Sequence, residues 1–246
     1  MPRAAIRWTN LSETTFLLPP SASGADYRVR IFTPGGELPF AGHPTLGSAH
    51  AWREDGGEPA RSGTIVQECG VGLVELREGD VGLAFAGPPT AVTPLGRSDR
   101  IAVATALGID AGLVRDAAVL DNGPHWTTVL LDSAETVLGL HPDPSALAAV
   151  ADEVGVVGPH APGGPAAVEV RAFAPGLGIT EDPATGSLNA SIAAWLVGAG
   201  VLPDHYVAAQ GTAMGRAARI VLTTDPAGTT WVGGATRTVV AGSVHL

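Results

Sequence analysis

The chain has 246 residues, with 14 Lys+Arg against 24 Asp+Glu, which gives a formal net charge of −10. All 14 basic residues are arginine, which excludes an internal lysine Schiff base and a phosphate-binding loop ending in Gly-Lys. A single cysteine, Cys69, excludes an intrachain disulfide, a Cys-x-x-Cys zinc site and a racemase with two opposed thiols.

The charge and hydropathy pattern also excludes several classes of binding partner. An acidic chain lacks the basic footprint of a nucleic-acid-binding protein. The longest nearly apolar run, residues 192–202, is too short to span a bilayer. The N-terminal residues lack the apolar core of a signal peptide. We therefore predict a cytoplasmic protein without nucleic-acid or membrane partners.

Segments rich in Val, Ile and Thr between Gly, Pro and Asp predict strands. These strands are expected over residues 27–34, 64–69, 72–77, 81–86, 118–122, 126–132, 166–175 and 218–224, with a last one from residue 229. Helical periodicity predicts helices over 45–54, 101–107, 144–154 and 187–197. Runs of strands with an embedded helix indicate an α+β fold. The Gly- and Pro-rich residues 87–100 are expected to form a linker.

An internal repeat indicates two pseudo-symmetric lobes. The first copy reads Arg30-Ile-Phe-Thr-Pro-Gly, then His43-Pro-Thr-Leu-Gly-Ser, then Ala51-Trp. The second copy reads Arg171-Ala-Phe-Ala-Pro-Gly, then Asp182-Pro-Ala-Thr-Gly-Ser, then Ala194-Trp. We expect each lobe to wrap a strand layer or barrel around a central helix. The lobes are predicted over 1–92 and 93–235, and a final strand near 236–246 is expected to return to the first lobe.

Two helix N-termini facing one cleft would form a cationic slot without lysine. A small carboxylate is the ligand that this arrangement favours. Gly42, Gly47 and Gly186 would allow backbone amides to approach such a ligand closely. For any single glycine, a role in a turn or in tight packing remains the alternative.

Chemically useful side chains occur in three loops, at Glu13, at His43, and at Asp182 with Ser187. A carboxylate enclosed by apolar residues has a raised pKa and can both take and give a proton. Leu11, Phe16 and Phe40 are the apolar residues expected around Glu13.

Roles for the other three residues follow from their chemistry. His43 is expected to donate to a substrate carboxylate or to share the proton. Asp182 would hold a substrate amine or fix the histidine tautomer. Ser187 and the Gly186 amide would stabilise an oxygen that gains charge. Taken singly, Glu13 could be a solvated turn residue, His43 the start of a helix before Pro44, and Asp182 a helix cap.

Four ordered motifs resemble the signature of the PhzF-like phenazine-biosynthesis isomerase and epimerase family. They are Asn10-Leu-Ser-Glu-Thr-Thr-Phe, the stretch from Arg30 through Gly42-His-Pro-Thr-Leu-Gly, Glu181-Asp-Pro-Ala-Thr-Gly-Ser, and Asn122-Gly-Pro with Gln210-Gly and Gly215-Arg. The resemblance covers essentially the whole chain and implies the two-lobed diaminopimelate-epimerase-like fold. It also implies cofactor-free proton transfer without a metal, and pairing into a homodimer. On this resemblance Glu13 is the catalytic acid and base, while His43, Asp182, Ser187, Gly42 and Gly186 bind substrate.

The resemblance departs from the family pattern at the start of the chain. Only twelve residues precede Glu13. The family's first strands and helix are therefore expected to be lacking, with residues 1–9 matching the end of that helix.

The sequence as a whole predicts an isomerase or epimerase that moves a proton on a small carboxylate substrate in the cleft between the lobes. The alternative is a non-catalytic family member that binds a small ligand or a partner there. A hydrolase that uses Ser187 is a more distant third reading, because no Gly-x-Ser-x-Gly motif is present.

Overall fold

The computed structural model describes residue 6 and residues 11–33, 35–79 and 81–243. The chain divides into two compact units, one from the described residues up to Ala86 and from Gly233 onward, the other Gly87–Val232. Strands dominate both units and helices are few, so the fold is a mixed one of α and β elements. None of the described helices combines the length and apolar character that crossing a membrane requires.

The first unit contains six strands and one helix within its described residues. They are β1 (Thr14–Leu18), β2 (Tyr27–Thr33), β3 (Gly36–Leu38), α1 (Gly42–Glu54), β4 (Thr64–Cys69), β5 (Gly72–Gly79) and β6 (Gly82–Ala86). The hydrogen-bonded order is β1-β2-β4-β5-β6, and β3 pairs with β2. Strands β2 and β4 run parallel, whereas the other pairs are antiparallel.

The second unit contains the remaining strands and four helices. They are β7 (Ala91–Pro94), α2 (Arg97–Leu107), β8 (Val114–Asp121), β9 (His125–Leu131), α3 (Ala134–Leu138), α4 (Pro144–Ala148), β10 (Val154–Pro159), β11 (Val168–Ala174), β12 (Ile179–Asp182), α5 (Gly186–Gly198), β13 (His205–Gln210), β14 (Ala218–Thr224) and β15 (Thr230–Gly234), whose last two residues count with the first unit. The order is β15-β14-β13-β11-β10-β9-β8-β7, with β12 paired to β11.

The same local arrangement occurs once in each unit. In the first, the hairpin β2–β3 leads into α1, and β4 returns parallel to β2. In the second, the hairpin β11–β12 leads into α5, and β13 returns parallel to β11. Both helices have 13 residues and begin at a glycine, Gly42 or Gly186.

An arginine on the first strand of each hairpin binds a glutamate on the second. Arg30 contacts Glu37 through two hydrogen bonds of 2.8 and 2.7 Å, and its guanidinium lies over Phe32. Arg171 contacts Glu181 at 3.0 and 2.8 Å and lies over Phe173. The first pair is exposed and the second is buried. The repeat in the sequence is therefore matched by repeated side-chain contacts.

The two long helices are held in different ways. Helix α1 packs against β1, β2, β4 and β6, and it ends where the backbone turns at Gly56 with a φ of 89°. A side chain at Gly57 would meet the Trp52 ring at 2.3 Å, so only glycine allows this close approach. Helix α5 is buried along Leu188–Ala193, and an all-round apolar surface is typical of a helix inside the core.

Several sequence expectations are corrected by the structure. The linker expected over 87–100 is wrong, because strand β7 and the start of α2 lie there; an edge strand tolerates the prolines that suggested a loop. The helix expected over 144–154 ends at Ala148, and the apolar residues from Val154 onward form strand β10 instead. Short apolar runs do not distinguish a buried strand from a helix.

The last strand expected near 236–246 is also not found where the chain is described. Strand β15 ends at Gly234, and residues 235–243 form no strand, while 244–246 lie outside the described residues. Val239 and Val240 are 86% and 87% exposed, and the segment contacts helix α1 through the Thr238 side chain, not through a strand pairing. The helix end expected in residues 1–9 lies outside the described residues apart from Ile6.

Candidate active site

Glu13 and His43 are brought together in the first unit although 30 positions separate them. Glu13 directly precedes β1, which pairs with β2 from Thr14 opposite Phe32. His43 is the second residue of α1, and this helix packs on β1. The His43 Nε2 atom lies 2.9 Å from Glu13 Oε2, so the two side chains share one hydrogen bond.

The environment of this pair is mixed, with a shielded carboxylate and an accessible imidazole. The side chain of Glu13 is 13% exposed and that of His43 is 40% exposed. Burial raises the pKa of Glu13, but the hydrogen bond and charge of His43, with a hydrogen bond from Ser12, outweigh it. The pKa of Glu13 therefore lies below its ordinary value, and the carboxylate is ionised at neutral pH.

The expectation that Glu13 has a raised pKa is therefore wrong for this structure. The physical reason is that the hydrogen bond and charge of His43, with the hydrogen bond from Ser12, favour the ionised carboxylate more than burial disfavours it. The apolar residues expected around Glu13 are also only partly enclosed. Leu11 is 59% exposed, while Phe16 packs edge-on against Phe32 and Phe40 against Phe85.

The beginning of α1 is suited to bind an anion. Ala41 precedes the helix in an extended conformation and contributes no side-chain cap. Gly42 is the first helical residue and is buried, and no acidic side chain lies in the first turn. Helix N-termini carry N–H groups without intrahelical acceptors and a partial positive charge. The structure thus places His43 directly beside these amides.

Asp182 lies at the end of β12, before α5, and is held by Thr185 and Gln210. The Thr185 hydroxyl donates to Asp182 Oδ2 at 2.5 Å. The Gln210 Nε2 group donates to the backbone carbonyl of Asp182 at 2.8 Å and to Thr185 Oγ1 at 2.8 Å. Asp182 therefore is not the cap of α5, since the cap position belongs to Thr185.

Ser187 lies in the first turn of α5, next to Gly186. Its Oγ accepts a hydrogen bond of 3.2 Å from the indole Nε1 of Trp126. Its backbone carbonyl accepts a bond of 3.0 Å from Asn122 Nδ2. Because the hydroxyl oxygen already accepts the indole N–H, its own proton can be donated to a ligand oxygen.

The sequence repeat and the fold align these residues differently. In the sequence repeat, His43 is equivalent to Asp182. In the fold, the first residue of helix α1, Gly42, is equivalent to the first residue of helix α5, Gly186. His43 therefore lies inside its helix, and Asp182 precedes its helix. The offset arises because the loop after β12 is arranged around Thr185 and Gln210 before the helix begins.

Sequence reasoning overlooked the supporting residues. It assigned no role to Thr185, Gln210 or Trp126. Trp126 is buried at 3% exposure, and its indole N–H donates to Ser187 Oγ. A signal was available for Gln210, because a polar residue in an apolar strand is buried only with hydrogen-bond partners.

The titratable residues outside these loops were compared with the ligand sets that metal ions require. Among the described residues, no group of three His, Cys, Asp or Glu side chains is arranged to hold a metal ion. His50 instead contacts Thr238 at 3.1 Å and Glu54 at 3.4 Å. Cys69 ends β4 and is half-buried.

Comparisons with known proteins identify the family of the chain. A family model described as phenazine biosynthesis-like protein matches residues 3–244. The chain is 35% identical to antisense-enhancing sequence 1 of Schizosaccharomyces pombe, covering 98% of this chain and 86% of that protein. It is 36% identical to trans-2,3-dihydro-3-hydroxyanthranilate isomerase of Pseudomonas chlororaphis, covering 85% and 74%. A PhzF-family structure from Enterococcus faecalis has a TM-score of 0.81 at 23% identity, covering 99% and 86%.

The chain belongs to the phenazine biosynthesis-like protein family, which confirms the resemblance of its motifs. It is an enzyme of the isomerase type, as several of its relatives are named. The solved structure shares its fold.

Proposed function

We propose that this isomerase moves a proton on a small carboxylate without a cofactor, with Glu13 as general acid and base. The observation that carries the proposal is the hydrogen bond of 2.9 Å between the shielded Glu13 carboxylate and the accessible His43 imidazole. A carboxylate with this partner is ionised before substrate arrives, so it is ready to remove a proton.

The proposed step conserves all atoms and electrons. Glu13 forms an O–H bond with a proton taken from a substrate carbon, and the C–H electron pair is delocalised toward a conjugated oxygen. The same carboxylic acid then returns the proton to a second carbon, so no oxidant or reductant is consumed. Enclosure by substrate strengthens the burial effect on Glu13, which favours this protonated intermediate state.

Donors are available for the oxygen that gains charge. The Ser187 oxygen accepts from Trp126, so its hydroxyl proton is available to a ligand, and the helix starts at Gly42 and Gly186 offer backbone N–H groups. His43 donates from Nε2 to the Glu13 carboxylate, so its other ring nitrogen can donate to a substrate only when the imidazole is protonated. Asp182 supplies an acceptor for a donor group of the substrate. These roles are proposed for His43, Asp182, Ser187, Gly42 and Gly186 together.

Proton exchange in heavy water tests the proposal. The protein is incubated with small unsaturated and α-amino carboxylates, beginning with trans-2,3-dihydro-3-hydroxyanthranilate, and each C–H signal is followed by NMR. The matched variants are Glu13→Gln and Glu75→Gln. Glu75 belongs to the same unit, is exposed and pairs with Arg61.

We expect exchange with the unaltered protein and with Glu75→Gln, and none with Glu13→Gln. An active Glu13→Gln protein would overturn the assignment of the acid and base. Saturable binding of a panel compound without any exchange would favour the non-catalytic alternative. Light scattering checks the homodimer that the family resemblance implies.

The hydrolase reading has no support in the geometry of Ser187. Within the described residues, its side chain is hydrogen-bonded to Trp126 and its carbonyl to Asn122. Neither side chain is a base that could remove the serine proton.

A further inference from the structure

Four hydrogen bonds around Gln210 have only one chemically allowed direction. The Asn189 side chain faces the backbone carbonyl of Thr185 at 2.9 Å, so its nearer atom is the donor Nδ2. That same Nδ2 group lies 2.8 Å from Gln210 Oε1, and the Thr185 backbone N–H lies 3.0 Å from it. Because both neighbours are donors, this atom of Gln210 is the acceptor oxygen.

The other end of the amide is consequently the NH₂ group. It donates to the backbone carbonyl of Asp182 at 2.8 Å, which can only accept, and to Thr185 Oγ1 at 2.8 Å. The two ends of the amide therefore give the same assignment independently. Gln210 is fully buried, so its amide has no water to satisfy it in another orientation.

The orientation of the Gln210 amide also determines the direction in which the Thr185 hydroxyl donates. A threonine hydroxyl has one proton, and its oxygen already accepts from Gln210. The proton therefore goes to the other neighbour, Asp182 Oδ2, at 2.5 Å. A neutral hydroxyl that donates to a carboxylate favours the ionised form of that carboxylate.

We propose that Gln210 is a positioning residue that orients the Thr185 hydroxyl toward Asp182 and so keeps Asp182 as a hydrogen-bond acceptor. Asp182 then receives a donor group of a ligand and does not exchange protons with it. The inference rests on the proposed function only in treating Asp182 as a ligand-binding group. The hydrogen-bond chain itself is a property of the free protein.

The experiment is a pH titration of the free protein with ¹³C-labelled aspartate side chains, in which the Asp182 carboxyl signal is assigned with Asp182→Asn. Thr185→Val removes the hydroxyl at constant shape, and we expect the Asp182 titration midpoint to rise by about one pH unit. Thr185→Ser keeps a hydroxyl and should restore the midpoint of the unaltered protein. Gln210→Met should raise the Asp182 midpoint when Thr185 is present. In a protein that already carries Thr185→Val, the same substitution should cause no further rise.

Two results would overturn the proposal. One is an unchanged Asp182 midpoint in Gln210→Met, and the other is an equal effect of this substitution with and without the Thr185 hydroxyl. A purely structural role of Gln210 predicts the second result.

A second measurement needs no Gln210 variant, in case Gln210→Met does not fold. The side-chain amide signals of Gln210 in the unaltered protein should titrate with the same midpoint as Asp182. This coupling should weaken in Thr185→Val, where only the hydrogen bond from Gln210 to the Asp182 backbone carbonyl remains. Gln210 amide signals that do not respond to the Asp182 titration in the unaltered protein would contradict the proposal. Because no substrate is present, a failed proton-exchange assay leaves both measurements interpretable.

Discussion

Arg171 and Glu181 form a two-point ion pair inside the second unit, whereas Arg30 and Glu37 form the same pair at the surface of the first. Arg171 also donates to the backbone carbonyls of Val137 and Leu140, at 3.3 and 2.6 Å. The two pairs share their geometry but differ in burial and in these hydrogen bonds to the backbone, so a comparison of them measures both differences together.

We expect Arg171→Gln to lower the free energy of unfolding by about 3 to 5 kcal/mol, because it leaves the Glu181 carboxylate buried without its cation. Arg30→Gln should cost much less, because water and salt screen the exposed pair. Urea denaturation of both variants measures the difference. Equal losses would show that burial does not control the two pairs.

The contribution of Glu13 to the free energy of unfolding should change sign when His43 is replaced by leucine. In the unaltered protein the folded pKa is depressed, so the pair adds stability above the unfolded pKa of Glu13, and this stability is lost as pH falls through the folded pKa. Without His43, burial is the largest effect and raises the pKa of Glu13.

A titration of ¹³C-labelled glutamate side chains checks this prediction. In His43→Leu, the pKa of Glu13 should lie above its ordinary value, and the buried carboxylate should lower the free energy of unfolding at neutral pH. His50→Leu is the control, because His50 lies on the same helix and contacts Thr238 and Glu54 instead. A Glu13 midpoint that stays low in His43→Leu would show that other donors hold the carboxylate.

Trp126 and Ser187 should contribute jointly to the proposed reaction, so that the effects of replacing them are not additive. Trp126→Phe keeps an aromatic ring but removes the N–H that binds Ser187 Oγ. We expect kcat/KM for proton exchange to fall about tenfold in Trp126→Phe and in Ser187→Ala, and the double variant to lose no more than Ser187→Ala. Ser191→Ala, a buried serine of the same helix, is the control. Fully additive losses of kcat/KM in the double variant would show that the two residues act independently.

Both tyrosines of the chain should resist ionisation until the protein unfolds. Burial raises the pKa of Tyr27, assisted by the charges of Cys69 and Asp26, and burial also raises the pKa of Tyr206. Since the folded values exceed the unfolded ones, this contribution to stability is complete below the unfolded pKa and is lost as pH rises. Ultraviolet absorbance should show tyrosinate only with the loss of circular dichroism. A separate, earlier tyrosinate step would contradict the buried environment.

The sequence predicted those parts of the fold and site that depend on local patterns. Val- and Ile-rich strands such as residues 64–69 and 218–224 were found at their expected bounds. The family motifs identified the isomerase class, and Glu13 and His43, which these motifs contain, are in contact. Their proposed roles in catalysis remain predictions.

Long-range contacts set the features that the sequence could not predict. The pKa of Glu13 depends on a partner 30 positions away, and the direction of the Thr185 hydroxyl depends on Gln210, which lies 25 positions further along. Neither dependence has a local sequence signature. Strands β3 and β12 were missed because three- and four-residue strands are too short to show periodicity.

The displaced alignment of His43 and Asp182 has an evolutionary consequence. After a duplication, two copies of one backbone can acquire different chemistry when the functional side chain moves by a few positions relative to the helix start. Under the roles proposed above, one copy carries an imidazole beside the general acid and base, and the other carries a carboxylate that accepts hydrogen bonds. Neither change requires a new fold, so such a scaffold can diversify its reactions by loop substitutions while its strands and helices are retained.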